Sequence, residues 1–166
     1  MKVFKEEQRF TQSWLIVIVI ISALVPVGVI INEYSKSNTN MSFTVLLLTT
    51  LSIIFFSGLI FFFKLKTRID EIGIHYQFSP FHFSLRTIKW NEIQKAYVRN
   101  YDPIGEYGGW GLKGGWSKSK GKAINVSGDI GLQLELKNGK KLLIGSQKEN
   151  ELKQVISNYK STLNNE

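Results

Sequence analysis

Hydrophobic and polar positions follow three patterns along the chain, and each predicts a different kind of element. Two runs are apolar without interruption. Trp14 to Ile31 (WLIVIVIISALVPVGVII) and Phe43 to Phe63 (FTVLLLTTLSIIFFSGLIFFF) carry no charge over 18 and 21 residues. As helices rising 1.5 Å per residue they reach about 27 and 31 Å, which matches a bilayer hydrocarbon core of about 30 Å. A pair of buried core helices is disfavoured, because the rest of the chain is too small to surround two helices that are apolar on every side. A cleaved leader is disfavoured for the first run: it exceeds the usual h-region and no small-residue cleavage site follows it. Pro26 is expected to kink the first helix or mark a packing contact there. Neither run holds an ionisable residue, so transport by this chain alone is not expected.

The flanks of these runs set an expected topology. Lys2, Lys5 and Arg9 precede the first and Lys64, Lys66 and Arg68 follow the second, whereas the intervening loop, residues 32–42, has only Lys36. The positive-inside rule then places the N-terminal segment, residues 1–13, and everything from residue 64 in the cytoplasm, with the loop outside. Trp14 and Tyr34 sit near the two ends of the first span, where amphipathic rings favour the interface.

From Lys64 onward the period changes to two, the mark of half-buried strands. Ile72, Ile74, Tyr76 and Phe78 alternate with His75 and Gln77; after Ser79-Pro80, Phe81, Phe83 and Leu85 alternate with His82, Ser84 and Arg86. Trp90-Asn91-Glu92-Ile93 opens a third strand running to about Tyr101, Ile124 and Val126 form a short one, and Ile130, Leu132, Leu134 and Leu136 alternate cleanly. Asn138-Gly139 predicts a type I′ hairpin turn, with Leu142 to Ile144 returning. The last segment has a helical period. Ser146-Gln147-Lys148-Glu149 fits an S-x-x-E capping box, and Leu152, Val155, Ile156, Tyr159 and Leu163 make one apolar stripe. The expected architecture of residues 64–166 is a mainly-β, α+β domain, a curled antiparallel sheet or barrel of about six or seven strands capped by the C-terminal helix.

Composition sharpens this picture in two places. The mean hydropathy of -0.04 resembles that of a soluble domain but averages a lipid-facing hairpin with a polar sheet domain. Of the net charge of +8, residues 64–166 carry +7, from 17 Lys+Arg against 10 Asp+Glu. The absence of cysteine excludes disulfides, thiol nucleophiles and Cys-based metal sites.

The order of short strands, the Trp90 to Ile93 segment, the late Asn138-Gly139 hairpin and the closing helix together resemble a bacterial pleckstrin-homology-like (PH-like) domain. The helical hairpin before it is similar to that of small membrane proteins which carry such domains. The resemblance covers Lys64 to Leu163, and it implies a binding or assembly module without catalysis. In lipid-binding members of the wider fold basic residues cluster at the first hairpin, whereas Ser79-Pro80-Phe81 has no Lys or Arg before Arg86.

Candidate chemistry concentrates in Tyr101 to Lys122 (YDPIGEYGGWGLKGGWSKSKGK), which holds seven of the fourteen glycines. Gly109-x-Gly111-x-x-Gly114 matches a dinucleotide fingerprint in letters alone, because no helix pattern follows to receive a pyrophosphate. The phosphate-loop spacing fails as well, with Ala123 where Ser or Thr would hold Mg²⁺. Two readings stay open. The stretch is a glycine-rich strand connection, or it is a mobile binding loop in which Trp110 and Trp116 meet the membrane interface or a partner while Lys113, Lys118, Lys120 and Lys122 meet anionic groups. His75 and His82 read as strand-surface histidines without further metal ligands nearby. Asp102 reads as a turn former, and with Glu106 it is the one acid/base pair to consider.

No cofactor or metal is implied, and scattered lysines without a recognition motif do not suggest nucleic acid. The expected function is a non-enzymatic scaffold for protein assembly, with itself or an unknown protein, at the cytoplasmic face. The alternatives are an anionic-lipid sensor using residues 101–122, and an accessory or catalytic subunit using Asp102 and Glu106.

Overall fold

The computed structural model describes residues 3–36, 40–114 and 121–163. The chain divides into two units, Phe10–Phe63 and a sheet unit that joins the segment ending at Arg9 to everything from Lys64 onward.

The first unit is a helical hairpin. Helix α1 (Ser13–Tyr34) passes through Pro26 as one continuous element, and α2 (Phe43–Gly58) tightens into a 3₁₀ turn over Leu59–Phe62. The segments of 22 and 20 residues, Ser13–Tyr34 and Phe43–Phe62, are long and apolar enough to cross a membrane. Neither buries a side chain within the unit, which is not how a soluble core helix behaves. Three of their hydroxyls bond back to the helix: Ser22 Oγ donates to the Val19 carbonyl at 2.8 Å, Thr49 Oγ1 to that of Val45 at 2.8 Å and Ser52 Oγ to that of Leu48 at 2.7 Å. Such back-bonding lets these hydroxyls sit on an apolar surface without water.

Among the described residues the sheet unit has nine strands in two sheets, eight of them from residue 64 onward, where about six or seven in one antiparallel sheet were expected. Sheet A runs β1 (Phe4–Arg9), β2 (Lys64–Ile69), β3 (Gly73–Ser79), β4 (Arg86–Lys89), antiparallel throughout. Sheet B has the order β5 (Ile93–Asn100), β8 (Ile130–Leu136), β9 (Lys141–Gly145), β7 (Lys122–Asn125), β6 (Gly111–Gly114), and its β7–β9 pair is parallel. The C-terminal helix α4 (Glu149–Leu163) packs against β5 as its stripe predicts, with Leu152, Val155, Ile156 and Tyr159 buried. Trp90, in a 3₁₀ turn between β4 and β5, stacks on Tyr159 with ring centroids 5.0 Å apart, and its indole N–H donates to the Asp70 carbonyl at 2.8 Å.

Four local expectations need correction. The N-terminal segment, residues 1–13, for which the sequence pattern predicts no element, supplies β1, which pairs with β2 from Phe4↔Ile69 to Arg9↔Lys64. Its inward positions are Phe4, Glu6 and Gln8, so no apolar alternation announces it. The arm from Phe81 to Leu85 is a loop, and its phases are reversed: His82 is buried and Phe81, Phe83 and Leu85 are exposed. Asn138 keeps a negative φ and only Gly139 is left-handed (φ 78°), which gives a three-residue connection with a glycine bulge instead of type I′. Finally, α4 begins at Glu149, and Ser146 is used differently. Its hydroxyl donates to Glu6 Oε2 at 2.7 Å and accepts the Lys148 N–H at 3.1 Å, while Glu6 Oε1 accepts the Gln147 N–H at 2.8 Å.

Gln8 Nε2 adds a bond to the Gly145 carbonyl at 2.8 Å, so β1 ties sheet A to the end of β9 and the approach to α4. Glu6→Ala removes the acceptor of the buried Ser146 O–H and of the Gln147 N–H, which costs about 1–3 kcal/mol. Glu7→Ala removes only exposed pairs to Arg9 and Lys64 and should cost less than about 1 kcal/mol. Chemical unfolding of the two variants, followed by tryptophan fluorescence, should separate them in that order.

Candidate functional site

The sheet unit contains a cleft of about 1060 Å³ lined from both sheets. Its floor is apolar, from Ile88 of β4, Ile124 of β7, Leu136 of β8 and Leu142 of β9. Its rim is cationic. Arg86 begins β4, Lys113 lies on β6, Lys122 begins β7, and Lys140 and Lys141 enter β9 from the Asn138-Gly139 connection. No Asp or Glu lines the cleft among the described residues. Among the described residues Glu135 is the carboxylate within 4.0 Å of a rim cation, its Oε1 lying 4.0 Å from Lys141 Nζ.

Backbone geometry explains how strand ends far apart in sequence converge there. Lys122 is registered with Gly114 on one side and, in parallel, with Leu142 on the other. Gly121 just before it is left-handed (φ 75°) and lies so close to Lys141 that a Cβ would collide with that residue's backbone. Glycine is therefore required where β7 enters the sheet.

His82 closes the cleft on the sheet A side. Its N–H donates to the Phe78 carbonyl at 2.8 Å, its ring Nδ1 accepts the Phe78 N–H at 3.2 Å, and its carbonyl accepts Gln77 Nε2 at 3.0 Å. The ring meets Tyr76 edge-on at 5.7 Å. Burial, and secondarily the charge of Arg86, pushes its pKa below the ordinary histidine value. It is a neutral imidazole in the cleft wall, not a strand-surface residue.

Of the sequence candidates, Lys113 and Lys122 line the cleft. Trp110 does not: it is half-buried, and its indole N–H donates to the Gly128 carbonyl at 3.1 Å. Trp116, Lys118 and Lys120 lie outside the described residues. The described part of the glycine-rich stretch holds helix α3 (Pro103–Tyr107) and strand β6. Asp102 caps α3, accepting the Ile104 N–H at 3.0 Å, and Gly108 ends it in the left-handed region. Glu106 forms a two-point ion pair with Arg99, at 3.0 and 2.7 Å, and accepts the Asp102 N–H at 3.0 Å. The paired carboxylate draws the Arg99 pKa up.

Sequence reasoning missed Arg86, Lys140 and Lys141 as rim residues. Lysines flanking a hairpin turn were the available signal, but only the sheet order reveals what that turn faces. It also missed a hydroxyl–imidazole–carboxylate line across sheet A. Thr87 Oγ1 is 2.8 Å from His75 Nδ1, and His75 Nε2 is 2.9 Å from Asp70 Oδ1. Burial opposes ionisation of Asp70, but His75 and the Ile72 N–H outweigh it and hold the carboxyl below its ordinary value. Arg68 Nε, 2.9 Å from Asp70 Oδ2, completes the group, and none of these residues lines the cleft. The line stitches β2, β3 and β4 together. Among the described residues no group of three His, Cys, Asp or Glu is placed to hold a metal.

No protein-family model matches the chain, and no curated protein matches it. The chemistry must therefore be read from the cleft itself: an apolar floor beneath converging ammonium and guanidinium groups suits an amphiphile or an anionic side group.

The wall histidine supplies a check on this geometry. The unfolded chain binds the His82 proton at the ordinary value and the folded chain only at lower pH. Its contribution to stability is thus complete above about pH 6.5 and is lost as pH falls through the folded value. An NMR titration should show His82 below the ordinary value, and Arg86→Ala should bring it part of the way back.

Proposed function

We propose that the chain is a membrane-anchored, non-enzymatic binding module of PH-like type, whose cleft receives an anionic lipid head group. Two spans hold it in the bilayer. Both termini and the sheet unit lie on the cytoplasmic face, by the same bias of Lys and Arg in the flanks of the apolar segments. The observation that carries the binding reading is the meeting of Arg86, Lys113, Lys122, Lys140 and Lys141 around one apolar-floored cleft without an acidic lining residue among those described. Each Lys or Arg close to an anionic leaflet adds about 1 kcal/mol. The chain is already tethered, so these contacts orient the sheet unit and read lipid composition; recruitment is not needed.

Protein assembly at the membrane face, which the PH-like resemblance implies, is the second reading. The exposed apolar side chains of Phe81, Phe83 and Leu85 beside the cleft favour it as a surface for a partner chain.

The first reading is tested by titrating the full chain in neutral detergent with short-chain phosphatidylglycerol and, separately, with short-chain phosphatidylcholine. Only the anionic lipid should shift the NMR signals of His82 and of the β6, β7 and β9 amides, and added salt should weaken the effect. Lys122→Ala with Lys141→Ala removes about 2 kcal/mol, or tenfold or more in affinity. An equal response to the two lipids would remove the basis for the head-group reading.

A further inference from the structure

The connection between β3 and β4 exposes apolar surface where the sequence pattern predicts burial. Along Phe81 to Leu85 the hydrophobic residues occupy alternate positions, and a strand would turn them into the core. His82 takes that place instead. With both its N–H and its ring nitrogen bonded to the Phe78 backbone, it is 6% exposed, and the phase of the segment is inverted around it. Phe81, Phe83 and Leu85 consequently stand 56%, 97% and 51% exposed. The loop is nevertheless braced, since Phe81 stacks on buried Phe78 with centroids 6.0 Å apart and planes 3° from parallel. A braced loop that presents two phenylalanines and a leucine together is a surface built to be covered.

The strand register indicates what covers it. Ser79, the last residue of β3, is registered with Lys64, and Lys64 with Arg9. Arg9 and Lys64 are the residues from which the chain leaves for, and returns from, the apolar unit. The Phe81–Leu85 loop thus springs from the same end of sheet A as both connections to the candidate spans. Arg9, Lys64 and Arg86 place cations at that end, and the loop adjoins the cationic cleft through Phe81. Aromatic and aliphatic side chains at a sheet end that also carries cations, of which Arg9 and Lys64 share Glu7, are the chemistry of a membrane interface with anionic head groups.

We propose that the Phe81–Leu85 loop is an interfacial anchor, seated in the lipid surface of the membrane that the chain's own apolar helices enter, and that it holds the mouth of the cleft against that surface. The proposal rests on the membrane-anchored reading and does not require that the cleft bind a particular head group.

The cysteine-free chain permits a direct test. Ser84→Cys gives a single labelling site that leaves Phe81, Phe83 and Leu85 in place. The full chain, labelled there with an environment-sensitive fluorophore, is reconstituted into vesicles of phosphatidylcholine and phosphatidylglycerol. Ile104→Cys serves as the reference, because Ile104 is 66% exposed on α3 and does not line the cleft. The label at 84 should emit at shorter wavelength than in detergent, lose its quenching by aqueous iodide and gain quenching by lipids that carry a nitroxide near the head group; the label at 104 should show the opposite. Replacing Phe81, Phe83 and Leu85 together by Ser should restore iodide quenching at 84 while the chain stays in the vesicles. Equal iodide access at 84 and 104 overturns the proposal, and so does shielding at 84 without quenching by nitroxide lipid, which means that a protein surface covers the loop. Release of the chain by alkaline carbonate overturns the membrane-anchored reading, and with it this one.

Discussion

The pairing of β1 with β2 is the constraint on which the rest of the sheet unit depends. These strands are neighbours in sheet A, yet the whole apolar unit, Phe10–Phe63, lies between them in the chain. Loop-closure entropy rises only by about 0.6 kcal/mol for each doubling of loop length, so an insertion of this size between paired strands is thermodynamically tolerable. What β1 contributes in return is mostly polar. Glu6 and Gln8, facing inward, satisfy the Ser146 hydroxyl, the Gln147 N–H and the Gly145 carbonyl, groups that the interior would otherwise leave unpaired. The first strand therefore sets where the last helix starts. From α4 the contacts return to sheet A through Tyr159, Trp90 and the Asp70 carbonyl.

That closed circuit leaves the cleft free of structural duties. Helix α4 packs against β5 and contributes no residue to the cleft, whose walls come from β3 and β4 on one side and from β6 to β9 on the other. The carboxylates that might have neutralised the rim are engaged in local structure. Glu106 is held by Arg99, Asp102 by the start of α3, and Asp70 by His75 and Arg68. The separation of paired charges from unpaired ones is a property of the fold, since the linear sequence interleaves them.

The elements most legible in the sequence were those whose burial follows a single periodic rule. The two uncharged runs and the stripe Leu152, Val155, Ile156, Tyr159 needed no tertiary information, and the alternation of Ile130 to Leu136 located β8. Legibility failed where a polar residue took an inward position. Strand β1 was invisible because Glu6 and Gln8 are buried by virtue of partners more than 130 residues away. The phase of Phe81 to Leu85 was misread because a histidine satisfied by its own turn outcompeted three apolar residues for the interior. Strand β6 was hidden in glycine-rich sequence of low strand propensity, and what secures it is the buried Asn125, which accepts the Gly111 N–H at 2.8 Å and donates to Tyr101 Oη at 3.0 Å. Of the site itself, Lys113 and Lys122 could be named from the sequence, but their company with Arg86, Lys140 and Lys141 is a consequence of the parallel β7–β9 pair.

That company has an energetic meaning. Like charges brought together raise the free energy of the compact state unless water and salt screen them, and the screening length is about 8 Å at physiological ionic strength. Among the described residues five cations around the cleft meet one weakly placed carboxylate, whereas elsewhere in the unit Arg68, Arg99 and Lys153 each hold a carboxylate oxygen within 2.9 Å. The electrostatic energy of the rim thus falls when an anion arrives, and it responds to salt. A neutral imidazole in its wall fits the same account. The field of Arg86 and the low polarity around His82 both disfavour a further positive charge, so the cleft holds its cations on flexible stems at the rim, where water solvates them, and keeps its interior uncharged.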